Sequence, residues 1–329
     1  MSKIAVFGAG GWAIGIATVL DDNGYDVMMW SALEEEIRLL RENKENPNVL
    51  PGVKISDKIK LTTDVKEAID GAYIVVLAVA SKFIRQTAHR LQGILKPGTI
   101  VVNVAKGIEE GTSYTMGQII EEELPEAKVC VLSGPSHAEE VARRMPTTVV
   151  VSGPDEETAK HLQDVFASKV FRVYASPDML GIEIGGSLKN VIALAAGIAD
   201  GIGYGDNIKA ALITRGIREI ARLAEAMGAR GETLYGLSGI GDLIVTCASM
   251  HSRNRRAGIL IGQGKTVDEA CKEVHMVVEG VVSAKAALEL AQKYNVTMPI
   301  VEQVNHVLFD GEDPKESVRI LMMRDKKNE

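Results

Sequence analysis

A chain of 329 residues has room for about two domains, each with its own core. With 46% hydrophobic and 25% charged residues the composition is that of an ordinary globular protein, which excludes disordered and fibrous classes. A net charge of −7 argues against nucleic acid or an acidic membrane surface as a general partner.

Lys3–Phe7 reads as a short strand buried on both faces. It runs into Gly8-Ala9-Gly10-Gly11-Trp12-Ala13, a match to G-x-G-x-x-G/A, and then into a helical pattern through Leu20. Gly24 caps that helix, and Asp26–Trp30 reads as the second strand. In this setting Gly8 allows a tight turn, Gly10 lets the backbone approach a pyrophosphate, and Ala13 permits close helix–strand packing. The phosphates would sit at the positive helix N-terminus. The uncharged run Ile4–Leu20 is short and glycine-rich for a membrane span, and only Lys3 could serve a signal peptide as its basic region. No other segment competes, so no integral membrane segment and a cytoplasmic location are expected.

Further strands are predicted at Tyr73–Ala78, Ile100–Val104, Lys128–Leu132 and Thr147–Ser152, alternating with helices near Lys82–Leu91, Tyr114–Glu123 and Glu156–Phe166. That is the pattern of a Rossmann-type doubly wound parallel sheet, an α/β fold whose ligands bind beyond the carboxyl ends of the strands. Two such ends are polar. At Ala105-Lys106-Gly107, Lys106 could meet a substrate or cofactor anion, or be a solvated loop lysine. At Ser133-Gly134-Pro135-Ser136-His137-Ala138, Ser136 can cap the helix that Glu139 and Glu140 enter. At the adenosine end, Glu34-Glu35-Glu36 follow the second strand and no basic residue appears until Arg38, which is spaced for a pair with Glu34. The cofactor is NAD or NADP, and this pattern leans to NAD.

After Ser176-Pro177 helical periodicity takes over, at Ile208–Met227, Val267–Val274, Ser283–Tyr294, Pro299–Leu308 and Pro314–Met322. The reading is an all-α second domain, with residues 1–180 forming the dinucleotide-binding domain and 181–329 the substrate-binding and catalytic one. Its first helix, Ile182–Ala199, is apolar nearly all round and carries Lys189. A buried ammonium must be paired or lose its proton, a common route to a functional lysine, unless the side chain snorkels to water. Asp242 and Thr246 fall one turn apart, although Asp after Gly241 is commonly a helix cap. Ser252-Arg253-Asn254 suits a phosphate, or a solvated basic helix start. Glu279, in Val277-Val278-Glu279-Gly280, could bind a ribose or an amide, or start a helix. The six histidines show no metal-ligand spacing, and Cys130, Cys247 and Cys271 are odd in number without C-x-x-C spacing. No metal is expected, and the thiols fit a reducing compartment.

Taken together, these strings resemble the cytoplasmic NAD(P)-dependent glycerol-3-phosphate dehydrogenase family over nearly the whole chain. The resemblance rests on GAGGWA at Gly8–Ala13, AKG at Ala105–Gly107, SGPSHAEE at Ser133–Glu140, GGSLKNVIALAAGIADGIGYGDN at Gly185–Asn207, ALITRG at Ala211–Gly216, GLSGIGDLIVTC at Gly236–Cys247, HSRNRRAG at His251–Gly258 and VVEG at Val277–Gly280. It implies interconversion of dihydroxyacetone phosphate and sn-glycerol 3-phosphate by hydride transfer, in a homodimer that feeds glycerophospholipid synthesis. Lys189 would exchange the proton on the C2 oxygen, and Lys106 would touch substrate and cofactor. Asp242 would bind substrate and orient Lys189, supported by Asn190 and Thr246. Ser252, Arg253 and Asn254 would hold the phosphate, and Gly134 and Ser136 would line the substrate site. Gly8, Gly10, Gly11, Trp12, Ala138, Arg253, Val277 and Glu279 would contact cofactor. The chain departs from the family at Ala32-Leu33, where His-Arg is frequent, at Ala13 for the third glycine, and at Ala80, where proline is frequent. Two other readings use parts of the same pattern: a two-domain hydroxy-acid or keto-acid reductase, and a non-catalytic NAD(P)-sensing module.

Overall fold

The computed structural model describes residues 2–275, 277–326 and 328. The chain divides into two compact units, one of Met1–Lys106 and Tyr114–Glu183, the other of Gly107–Ser113 and Ile184–Glu329. The division falls after Glu183, and a seven-residue segment of the first half, Gly107–Ser113, belongs to the second unit.

The first unit holds strands β1 (Lys3–Phe7), β2 (Asp26–Trp30), β3 (Lys60–Thr62), β4 (Ala72–Leu77), β5 (Ile100–Asn103), β6 (Lys128–Ser133), β7 (Thr147–Ser152) and β8 (Phe171–Ala175). Helices α1 (Gly11–Asp22), α2 (Glu34–Asn43), α3 (Val65–Ile69), α4 (Ile84–His89), α5 (Met116–Glu123), α6 (Ala138–Val141) and α7 (Glu156–Phe166) lie between them. The strands line up as β3-β2-β1-β4-β5-β6-β7-β8. Pairing is parallel from β3 to β6, but β7 runs antiparallel to β6 and parallel to β8. The doubly wound sheet is thus mostly parallel, with one antiparallel pairing that the alternation of elements does not reveal. A parallel crossover normally spans its sheet with a full helix, and the β6–β7 link contains only the single turn of α6, so the chain turns straight back.

Period-two side-chain alternation sorts the sheet's two faces. Ile4, Val6, Met29, Ile74 and Val76 pack with Ile14 and Ala17 of α1 and Phe166 of α7. Ala5, Phe7, Val75, Leu77 and Val101 pack with Ile84 of α4 and Ile119 of α5. The parallel strands β1, β4, β5 and β6 deliver their carboxyl ends to one edge of the sheet. The Gly8–Gly10, Lys106 and Gly134–Ser136 loops all emerge there.

The second unit is helical: α8 (Met179–Ile202, its first turn counted with the first unit), α9 (Asp206–Ala226), α10 (Asp242–Ala248), α11 (Arg253–Gly262), α12 (Val267–Val274), α13 (Glu279–Lys293), α14 (Pro299–Phe309) and α15 (Pro314–Met322). A π-helical turn at Leu237–Gly241 leads into α10. Helix α8 is long and apolar enough to cross a membrane, yet its apolar window is wholly buried inside the protein, which marks it as an interior helix. It packs against α11 almost backbone to backbone. A Cβ on Gly197 would lie 2.2 Å from Arg255 O, and one on Gly258 would lie 2.3 Å from Leu194 O.

Candidate functional site

In the first unit the glycine turn is built as its residue types demand. Gly8 has φ +133, and a Cβ there would meet Ala78 O at 2.7 Å, so both conformation and space require glycine. Gly10 precedes α1, whose first turn has no side-chain cap and no acidic residue. A Cβ on Gly10 would meet nothing within 4 Å. The space beside Gly10 at the positive end of α1 is thus open, which fits the pyrophosphate of a dinucleotide. Gly11 lies against Ala138, where an added Cβ would stand 3.4 Å from the alanine methyl. Trp12 is half-buried and packs over Gly15.

At the adenosine end, Ser31 donates to Glu36 Oε2 at 2.5 Å, and Leu33 is 60% exposed. Arg38 forms a two-pronged pair with Glu35 and a second pair with Glu42. The expected pairing with Glu34 is thus corrected. Glu35, one turn before Arg38, takes both guanidinium prongs, and that contact pulls the Glu35 carboxyl below its ordinary range.

Lys106, Gly134 and Ser136 come together. Lys106 Nζ donates to Gly134 O at 3.0 Å, and Ser136 Oγ donates to the same carbonyl at 2.9 Å. Gly134 has φ +141, and a Cβ would approach Val149 Cα at 3.0 Å. Ser136 does not cap α6. The cap position is His137, one residue later, which leaves the serine hydroxyl beside the lysine.

The second unit gathers the remaining polar groups. Lys189 is 5% exposed and does not snorkel. Its Nζ lies 3.0 Å from Asp242 Oδ1 and donates to Thr246 Oγ1 at 2.7 Å. Thr246 in turn donates to Asp242 O at 2.6 Å. Asp242 is the first residue of α10, one position after the cap position Gly241, and its carboxylate lies against the lysine. Next along α8, Asn190 Oδ1 accepts from Asn254 Nδ2 at 2.9 Å, while Asn254 Oδ1 accepts the Gly280 N–H at 2.8 Å. Glu279, half-buried, is the first residue of α13 and precedes that glycine, with Val277 just before the helix. Ser252 caps α11 by accepting the Arg255 N–H, which leaves its hydroxyl proton for another acceptor. Arg253 opens the same helix, half-buried. Arg255 is committed elsewhere, to Asp200 at 2.7 Å. Burial pushes the Cys247 thiol, beside Thr246, up to about 12, so it is a protonated wall and no nucleophile. A cavity of about 580 Å³ in this unit, lined by Ala195, Leu212, Arg215, Glu219 and Gln303 among others, contains none of the expected site residues.

Three buried polar groups near these loops were not singled out by pattern: Asn103, Glu183 and Ser187. The rule that marks Lys189, a charge in an apolar helix, marks Glu183 equally.

The family model described as NAD-dependent glycerol-3-phosphate dehydrogenase N-terminus matches residues 3–159, and the corresponding C-terminus model matches 178–319. The chain belongs to this family. A glycerol-3-phosphate dehydrogenase [NAD(P)+] of Agathobacter rectalis is 59% identical over 329 residues, covering 100% of this chain and 98% of the relative. One from Fusobacterium nucleatum is 59% identical over 331 residues, with 100% and 99% covered. The crystal structure of glycerol-3-phosphate dehydrogenase from Coxiella burnetii superposes with a TM-score of 0.94 at 34% identity, covering 98% of this chain and 99% of that one. A ketopantoate reductase of Ralstonia eutropha shares the fold alone, at TM-score 0.63 and 15% identity over 96% and 99% of the two chains. Membership makes the chain an oxidoreductase that uses NAD or NADP and acts on a phosphorylated small molecule.

Proposed function

We propose that the chain interconverts dihydroxyacetone phosphate and sn-glycerol 3-phosphate in the cytoplasm as a homodimer, supplying glycerol 3-phosphate for glycerophospholipid synthesis. The observation that carries the catalytic reading is the buried Lys189–Asp242–Thr246 cluster in a chain of this family. When bound, the nicotinamide supplies or takes up the hydride at the substrate's C2. Lys189 gives or takes the proton on the C2 oxygen at Nζ, and Asp242 and Thr246 hold that nitrogen in one place. Lys106 stabilises negative charge developing on the same oxygen. Arg253, with the spare donors of Ser252 and Asn254, binds the phosphate. Gly134 and Ser136 line the substrate's path, and Gly8, Gly10, Gly11, Trp12, Ala138, Val277 and Glu279 hold the cofactor. Arg38 is engaged by Glu35 and Glu42, and Ala32-Leu33 offer no cation for a 2′-phosphate, which supports NAD over NADP.

The test is oxidation of NADH and of NADPH, run in parallel, with dihydroxyacetone phosphate as substrate. Turnover is expected with a higher kcat/KM for NADH. Protein that binds either cofactor but reduces only unphosphorylated keto acids would overturn the substrate assignment.

A further inference from the structure

We propose that Ser187 and Glu183 are positioning residues that hold the chain on either side of Lys106. The inference rests on the reading of Lys106 as a group that acts on the substrate oxygen.

The loop is held on both sides of the lysine. Before it, the buried Asn103 side chain clamps Ala105 twice, donating to Ala105 O at 3.0 Å and accepting Ala105 N–H at 3.0 Å. Glu183 Oε1 stands 3.5 Å from the same Asn103 amide. Glu183 is itself fixed, accepting from Thr115 Oγ1 and from Gly117 N–H, each at 2.7 Å. After the lysine, Ser187 Oγ accepts Gly107 N–H at 2.9 Å and donates to Gly107 O at 3.0 Å. One hydroxyl thus satisfies both polar groups of the residue next to Lys106, at a site only 2% exposed. Glu183 and Ser187 are four residues apart and share one face of α8.

A helix is a stiff ruler, and interactions that set a catalytic group to within a fraction of an ångström decide rates more than binding. A purely structural serine would satisfy the loop backbone and matter only to stability. The two roles separate in a double-mutant cycle of Ser187→Ala with Lys106→Ala, read by kcat, by KM for both substrates, and by thermal unfolding. Ser187→Ala is expected to lower kcat about tenfold, with KM for the cofactor unchanged. In the Lys106→Ala background it is expected to change kcat by less than about twofold, while its effect on Tm is the same in both backgrounds. Equal losses of kcat in the two backgrounds would overturn the proposal, as would an unchanged kcat in the parent enzyme. Should Ser187→Ala fail to fold, Glu183→Gln runs through the same cycle, with a loss of about threefold that again vanishes without Lys106. If Lys106→Ala alone leaves kcat intact, the reading of Lys106 falls and takes this inference with it, a result distinct from additivity.

Discussion

Helix α8 buries an amine, Lys189, and a carboxyl, Glu183, within two turns, and the two are handled differently. Lys189 Nζ lies 3.0 Å from Asp242 Oδ1, while burial raises the Glu183 carboxyl to about 7. Removing one member of a buried pair leaves the other uncompensated. Lys189→Ala is expected to lower kcat by roughly 10² or more while NADH affinity, followed by fluorescence titration, is retained. Asp242→Asn keeps the shape but not the charge, and is expected to lower kcat by at least tenfold and to cost stability, measurable by urea unfolding. Arg253→Ala is expected to raise KM for dihydroxyacetone phosphate by about tenfold or more with less effect on kcat, the signature of lost phosphate binding. At this scale Lys189 was legible because a lone cation in an apolar run has few ways to exist. Its partners lie more than fifty positions away and needed the fold. Ser136 was open to two readings because cap and site chemistry use the same residue types, and the cap position falls one residue later, at His137.

Among elements, legibility followed the strength of the end signals. Val267–Val274 begins at a capping box from Thr266, and Pro314–Met322 at a proline in its first turn, and both bounds appear in the structure as read. Strand β3 spans three residues and is too short to carry a pattern. Strand β8 buries Phe171 and Val173 but exposes the residues around them. Helix α11 escaped because Gly258 and Gly262 look like punctuation. Their role is contact: cβ-less positions on α11 meet Gly197 and Gly201 on α8, letting the two backbones touch. Gly258→Ala would drive a methyl toward Leu194 O, and is expected to destabilise by about 1–3 kcal/mol in urea unfolding. Because α11 begins with Ser252, Arg253 and Asn254, and α8 carries Lys189 and Asn190, that variant is also expected to raise KM for the phosphorylated substrate.

For the whole molecule, two buried carboxyls set a pH dependence. Burial raises Glu183 and Glu219 from 4.5 to about 7. In the unfolded chain both would lose their protons near the ordinary value, so the folded state binds more protons between pH 4.5 and 7. Their contribution to stability is full below about 4.5 and is lost as pH rises through about 7. Urea unfolding at pH 5 and pH 8 is expected to show that loss, and Glu183→Gln to reduce it. The doubly wound class of the first unit was legible from alternating elements, since period two and period 3.6 are written in the apolar residues. The reversal of β7 was not, because strand direction depends on whether a connection can cross the sheet.

The excursion of Gly107–Ser113 into the helical unit has a practical consequence. The polypeptide passes from one unit to the other three times, so no single scission yields two intact halves. A fragment ending at Glu183 keeps a seven-residue strip that belongs with the missing partner, and the complementary fragment lacks it. Gene halves split at that point should therefore yield complementing fragments and not autonomous domains, with recovery of soluble protein depending on co-expression.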